Sequence, residues 1–243
     1  MVRLMKPKVR LCVEHPLGEG QQVSLTREQA HYLFGVMRLG SGDHIALFNC
    51  ADGEWACEVV EAGKRGGVLV CKTLTTEQSM PPDLWLLFAP IKKARTDFIV
   101  EKAVEMGVRA ILPVQTDFTN SERIRQDRLQ AHATEAAEQC GATYVPQVHD
   151  LQKLDRLLAD WDATRRIMFC DEARAGQTPG LPENPGPWAV LIGPEGGFSD
   201  RERDRLHGLN HSHPVALGPR ILRADTAAVA ALTLWQTALG DWQ

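Results

Sequence analysis

Arg220 and Arg223, separated by the apolar pair Ile221 and Leu222, lie in the stretch LGPRILRADTA (217–227), where Gly218 and Pro219 shape a turn. Two cations spaced by two apolar side chains can offer alternating polar and apolar contacts to one ligand. A second stretch, GPEGGFSDRE (193–202), sets Glu195 among Gly193, Gly196 and Gly197, residues that tolerate positive φ and close approach to the backbone. A tight strand-to-helix turn would use the same glycines. Both stretches follow short apolar runs, WAVLIG (188–193) and PVALG (214–218), which are bounded by Pro and Gly and read as buried strands of a parallel sheet. Each loop then sits at the carboxyl end of a strand, the edge of an α/β sheet where ligands meet unpaired amides. Neither stretch is a Rossmann fingerprint or a P-loop, since GxGxxG, GKS and GKT are absent.

The elements that position these loops fall into two groups. In residues 1–78, TREQAHYLFGVMR (26–38) predicts a helix with an apolar face of Ala30, Leu33, Phe34 and Met37 and a capping box from Thr26 and Gln29. HIALFN (44–49), EWACEVVEA (54–62) and GVLVCKTL (67–74) follow as strands, so this part is a small β-rich domain. Two prolines make residues 79–83 a linker. Over residues 84–243 strands alternate with helices, two of them ended by Gly107 and Gly141, which predicts an α/β fold with helices on both faces of a parallel sheet. Ser199 and Glu202 form a second capping box, and Asp225 or Thr226 is placed to cap the final helix, DTAAVAALTLWQTALG. That helix is small or apolar almost all round, which predicts burial, partly against a second copy of the chain in a homodimer.

A formal net charge of −4 excludes a uniformly basic coat, yet three local clusters are basic: Arg3, Lys6, Lys8 and Arg10; Lys92, Lys93 and Arg95; Arg123, Arg125 and Arg128. Any one could be solvated surface; together they point to a polyanion partner. No apolar run approaches the roughly 20 residues needed to span a bilayer, and the N-terminus lacks the apolar region of a secretory signal. A soluble, cytoplasmic protein is expected. The six cysteines form no CxxC pair and read mostly as buried reduced thiols; His211 and His213 have no clustered partners, so no metal is expected.

Four segments in order, HYLFGVMRLGSGD (31–43), EAAEQCG (135–141) with VP at 145–146, GPEGGFSDRE and LGPRILRADTA, resemble the bacterial 16S ribosomal RNA uridine N-3 methyltransferases (RsmE) of the SPOUT class. The resemblance spans nearly the whole chain. It implies a PUA-like RNA-binding β-barrel followed by a SPOUT-type parallel sheet with a C-terminal trefoil knot, a topology rare among folds. It also implies S-adenosylmethionine held in the knot, largely by main-chain groups of three loops. Matched by motif, these are the end of RRIMFC (165–170), with Phe169, Asp171 and Glu172; Ile192, Gly193, Pro194, Glu195, Gly196 and Gly197; and Leu217, Gly218, Ile221, Leu222 and Arg223, with adenine against Leu217, Ile221 and Leu222.

The implied reaction is attack of a uracil ring nitrogen on the sulfonium methyl, with 16S ribosomal RNA in the small ribosomal subunit as substrate. Arg223 or Arg220 would stabilise the uridinate, while Glu195 or Asp225 would assist proton removal or orient the arginine. Helix capping by Asp225 and backbone-amide bonding by Glu195 are the structural alternatives. Arg10, Arg38, Lys92, Arg95 and Arg123 are the candidate RNA contacts. Two positions depart from the family pattern: Ala142 stands where an arginine often follows the glycine, and Asp225 where many members have Glu. The competing functions are a sibling SPOUT enzyme acting on a ribose hydroxyl or another base, and a noncatalytic RNA-binding factor in ribosome assembly.

Overall fold

The computed structural model describes residues 9–121, 123–176, 180–181, 184 and 186–242, so Arg3, Lys6 and Lys8 lie outside the described residues. The chain divides into two compact units, Met1–Met80 with Ala137–Tyr144, and Pro81–Ala136 with Val145–Gln243.

The first unit is built on a five-stranded sheet of β1 (Arg10–Cys12), β2 (Gln22–Ser24), β3 (His44–Phe48), β4 (Glu54–Gly63) and β5 (Gly66–Thr76), in the order β1-β3-β4-β5-β2. β1 runs parallel to β3 and the other pairs are antiparallel. Helix α1 (Arg27–Ala30) starts at the expected capping box, with the Thr26 hydroxyl accepting from the Gln29 amide. It then widens into a π-helical turn, His31–Val36. That change of pitch rotates the later residues, so Ala30 and Leu33 are buried but Met37, expected on the same face, is exposed. Cys57 and Cys71 face each other across β4 and β5 with sulfurs 3.3 Å apart in the core. Burial reaches these two and Cys170; Cys12 and Cys50 are half-buried and Cys140 is exposed, so fewer thiols are buried than the sequence suggests.

The second unit alternates β6 (Leu84–Phe88), α2 (Lys93–Glu105), β7 (Ala110–Gln115), α3 (Gln126–Cys140, whose end from Ala137 belongs to the first unit), β8 (Gln147–Val148), β9 (Gln152–Lys153), α4 (Leu154–Ala159), β10 (Arg166–Cys170), β11 (Trp188–Ile192), α5 (Asp200–His207), β12 (Ser212–Val215) and α6 (Ala224–Leu239). Its sheet is parallel, in the order β12-β10-β11-β6-β7-β8, with β9 also on β7. β11 is buried along its whole length, as a strand covered on both faces must be. Gly107 and Gly141 end α2 and α3 at φ +72° and +87°, the left-handed conformation that glycine adopts without a Cβ penalty. Among the described residues no helix is long and apolar enough to cross a membrane.

Two expectations fail at helix ends. α6 begins one residue early, with Arg223 at the N-cap and no side-chain cap, so neither Asp225 nor Thr226 caps it. Asp225 lies inside the first turn and accepts from the Thr226 amide at 2.9 Å, where a carboxylate still favours the helix dipole.

The second failure is Arg10, expected to touch RNA. Its side chain is 9% exposed, meets Glu54 at 2.5 Å, and donates to the carbonyls of Ala137, Glu138 and Ala142 at 2.6, 2.8 and 2.8 Å. Carbonyls at a helix C-terminus lack intrahelical partners, and this guanidinium satisfies them. The bonds tie residues 137–144, placed by sequence in the second domain, into the first unit.

Candidate active site

β10 pairs with β11 on one side and β12 on the other, so the loops after these three parallel strands open at one edge of the sheet. They enclose a cavity of about 280 Å³. The first glycine loop contributes Ile192, Gly193, Pro194, Glu195 and Gly197; the second contributes Leu217, Gly218, Arg220, Ile221, Leu222 and Arg223; the end of β10 contributes Cys170, Asp171 and Glu172. Segments some fifty residues apart in the chain thus converge on one hollow.

Phe169 and Gly196 do not line it. Neighbouring side chains on a strand point to opposite faces, so with Cys170 facing the cavity Phe169 turns into the core. There its ring packs edge-on against Phe198 at 5.0 Å. Strand alternation was the signal that could have exchanged Phe169 for Cys170. Gly196 instead faces Phe118: a Cβ added to it would lie 3.3 Å from the Phe118 Cβ. Ala175, Val215, Ala224 and Ala227 complete the lining and carry no motif that would have marked them.

The first loop is held by packing. A Cβ on Gly193 would come within 2.7 Å of the Phe198 ring, and Gly197 has φ +71° with its open face against the Glu172 carboxylate. Glu172 is ion-paired with Arg203 on α5. Asp171, almost fully buried, accepts from the Ala173 amide at 3.0 Å and meets Arg203 at 3.4 Å and His207 at 3.2 Å. Burial works to lower the affinity of Arg203 for its proton, but its bonds to Glu172 and Asp171 outweigh that and hold it above the usual arginine range. The acids after β10 therefore anchor α5. Burial pushes the Cys170 thiol up, which keeps it neutral in the cavity wall.

The charges on the opposite wall are arranged differently. Arg220 and Arg223 are exposed at the rim, and neither side chain has a hydrogen-bond or ion-pair partner among the described residues. Glu195 and Asp225 share one cation: Arg95 meets Glu195 at 2.7 Å and Asp225 at 3.6 Å. Arg95, assigned by sequence to the RNA surface, is thus engaged with both candidate carboxylates. Glu195 takes this guanidinium rather than backbone amides as its partner, and Asp225 stands outside the cavity lining. Lys92 and Arg123 are exposed on the second unit, and Arg38 is exposed on the first at φ +58°. No group of three or more His, Cys, Asp or Glu side chains that could hold a metal occurs among the described residues.

A sequence profile described as an RNA methyltransferase domain matches residues 78–236, and a second, described as an RNA methyltransferase PUA domain, matches residues 25–70. The chain belongs to the RNA methyltransferase family. A relative within reach of this RNA methyltransferase is the ribosomal RNA small subunit methyltransferase E of Buchnera aphidicola, 27% identical over 98% of this chain and 99% of the relative. Among solved structures, a ribosomal RNA small subunit methyltransferase E from Neisseria gonorrhoeae, bound to S-adenosyl methionine, matches with a TM-score of 0.89 at 26% identity, covering 97% of this chain and 99% of that one. A putative methyltransferase from Legionella pneumophila, in complex with the same cofactor, gives 0.87 at 27% identity over 96% and 98%.

Proposed function

We propose that this RNA methyltransferase transfers the methyl group of S-adenosylmethionine to ring nitrogen 3 of a uridine in 16S ribosomal RNA of the small subunit. The observation that carries the reading is one cavity that joins three loops and holds at its rim two guanidinium groups with no partner among the described residues. Near full-length likeness to two proteins named small-subunit methyltransferases, one of them solved with the cofactor, and to a putative methyltransferase also solved with it, supports the reading.

The residues present fit the cofactor. Ile192, Val215, Leu217 and Leu222 give the cavity apolar walls, and a Cβ on Gly218, at φ +101°, would meet nothing beyond its chain neighbours within 4 Å among the described residues. Leu217, Ile221 and Leu222 would take the adenine, each covered side chain contributing up to roughly 1.5–3 kcal/mol. When bound, the cofactor supplies an electrophilic sulfonium methyl.

The chain's own residues must supply nucleophilicity and alignment. Nitrogen 3 of neutral uracil carries a proton, and its removal spreads negative charge onto the flanking carbonyl oxygens. Arg223 and Arg220 are free to stabilise that charge, each pKa unit of lowering being worth about 1.4 kcal/mol. Glu195, held at the cavity by Arg95, accepts the proton, and Asp225 fixes the other side of Arg95. Holding two reactants in line can supply up to roughly 7–11 kcal/mol of the barrier.

The same reading extends to the PUA-like barrel in residues 1–78, the trefoil knot in residues 84–243 and a cytoplasmic site of action. Arg38, Lys92 and Arg123 would hold RNA, with the target base single-stranded or extruded. A homodimer through α6 is supported by Val229, Ala230 and Leu234, apolar residues left half-buried on that helix. Labelled S-adenosylmethionine, small subunits lacking the modification and nucleoside mapping provide the test. Label on uridine nitrogen 3 is the expected outcome. Label on a ribose would transfer the protein to a sibling activity, and no label from intact protein would leave an RNA-binding assembly factor.

A further inference from the structure

Beside the cofactor cavity lies a second hollow of about 300 Å³ to which the methyl-transfer reading gives no occupant. The two share Pro194 and Glu195, and the second is completed chiefly by Pro90, Lys92, Asn120 and Ser121. Close by, Phe118 packs its Cβ toward Gly196 of the first glycine loop, yet the residue is 48% exposed. Lys92 is exposed and has no carboxylate partner among the described residues. A half-exposed aromatic ring next to the hollow, and an ammonium and a side-chain amide in its lining, are the groups that bind a nucleotide: a stacking surface, a phosphate partner and a base-edge hydrogen-bonding group.

Glu195 is the one feature opposed to an anion there. Its charge is already matched by Arg95 at 2.7 Å, so a phosphate near Lys92 does not meet a bare carboxylate. Position decides which nucleotide is involved. A strand that delivers one base into the cofactor cavity can place its neighbour in the adjoining hollow, because the two share Pro194 and Glu195.

We propose that this hollow is a subsite for the nucleotide adjoining the target uridine, with Phe118 stacking its base, Lys92 facing its phosphate and Asn120 contacting the base edge. The subsite rests on the RNA methyltransferase reading above and adds to it a requirement for single-stranded RNA on one side of the target.

The test uses the full chain and a fluorescently labelled, uridine-centred single-stranded oligoribonucleotide, with binding read by anisotropy and methyl transfer measured in parallel. Phe118→Ala should weaken binding about five- to 150-fold, the range of one base–aromatic stack, while Phe118→Trp retains it. Lys92→Ala should reduce the slope of log affinity against log salt by about 0.7. In methyl transfer, Phe118→Ala should raise KM for RNA and leave kcat and cofactor affinity unchanged. Phe118→Ala binding within twofold of the parent would overturn the subsite, even if uridine is methylated normally. Loss of binding by Phe118→Ala in a protein that methylates no uridine would sustain the subsite and remove the uridine reading instead.

Discussion

The loop after β11 and the loop after β12 wall the same cavity, yet the first is locked by its own packing and the second is left open. Phe198 fills the space under Gly193, the Glu172 carboxylate closes on Gly197, and the Ser199–Glu202 capping box fixes the helix that follows. Glu202 also accepts from the Asp117 amide at 2.8 Å, stitching this loop to the one after β7. Across the cavity, Ile221 is 76% exposed, and Arg220 and Arg223 have no partner among the described residues. A preorganised wall lowers the ordering cost of binding, whereas unpaired guanidinium groups retain their full capacity for a substrate. The contrast assigns shape to the first loop and charge chemistry to the second.

The largest effect should come from the open loop. Arg223→Ala should lower turnover at saturation by about 10²–10³-fold, the range for removing a preorganised donor to developing negative charge, or roughly 2.7–4 kcal/mol. Melting temperature and cofactor affinity should hardly move, because the side chain has no partner among the described residues. Calorimetry with S-adenosylmethionine and single-turnover kinetics separate the two quantities. Loss of cofactor binding with unchanged turnover at saturation would reject the role and make the second loop a wall like the first.

The locked loop should answer in stability. Gly197→Ala forces a Cβ into the left-handed region at φ +71° and against the Glu172 carboxylate, which should cost about 2–4 kcal/mol from strain and overpacking together. Gly218→Ala meets strain at φ +101° but open space, so about 1–2 kcal/mol is expected. Thermal unfolding would register the difference at roughly 2–4 °C per kcal/mol. Equal losses at the two glycines would erase the distinction between the loops.

What could be read without coordinates follows the range of the interactions involved. The capping boxes at Thr26 and Ser199 and the glycine ends of α2 and α3 are decided within four residues, and each is where its local pattern puts it. The parallel sheet was legible from the alternation of apolar runs with helical patterns. Arg10 was not, since its partners lie 44 to 132 positions away and composition cannot tell a cation that satisfies helix carbonyls from one that awaits a phosphate. The ion pairs of Arg95 were hidden for the same reason: its nearest partner, Glu195, is 100 positions distant. Phe169 was a different matter, because strand periodicity identifies which neighbour faces the cavity once one of the two is known to be core.

The smallest effect concerns how the locked wall is anchored, and it is electrostatic. Asp155 binds Arg201 at 2.6 Å and Arg205 at 2.7 Å, both on α5, and Asp117 binds the Ser199 hydroxyl at 2.6 Å and Arg201 at 2.9 Å. The bond from Arg201, aided by Arg205, holds the Asp155 carboxyl below its ordinary range, and the Ser199 hydroxyl followed by Arg201 does so for Asp117. A carboxyl depressed in the folded state binds fewer protons than its unfolded counterpart between the two pKa values, so stability rises with pH through that interval. The contribution is complete above about pH 4, the unfolded value, and is lost as the pH falls toward the folded one. Asp155→Asn should therefore be slightly less stable at neutral pH and lose less on acidification below about pH 4, measured as melting temperature against pH. Parallel curves for parent and variant would mean that Asp155 adds no acid sensitivity, leaving the Phe198 and Glu172 contacts to hold the wall by packing.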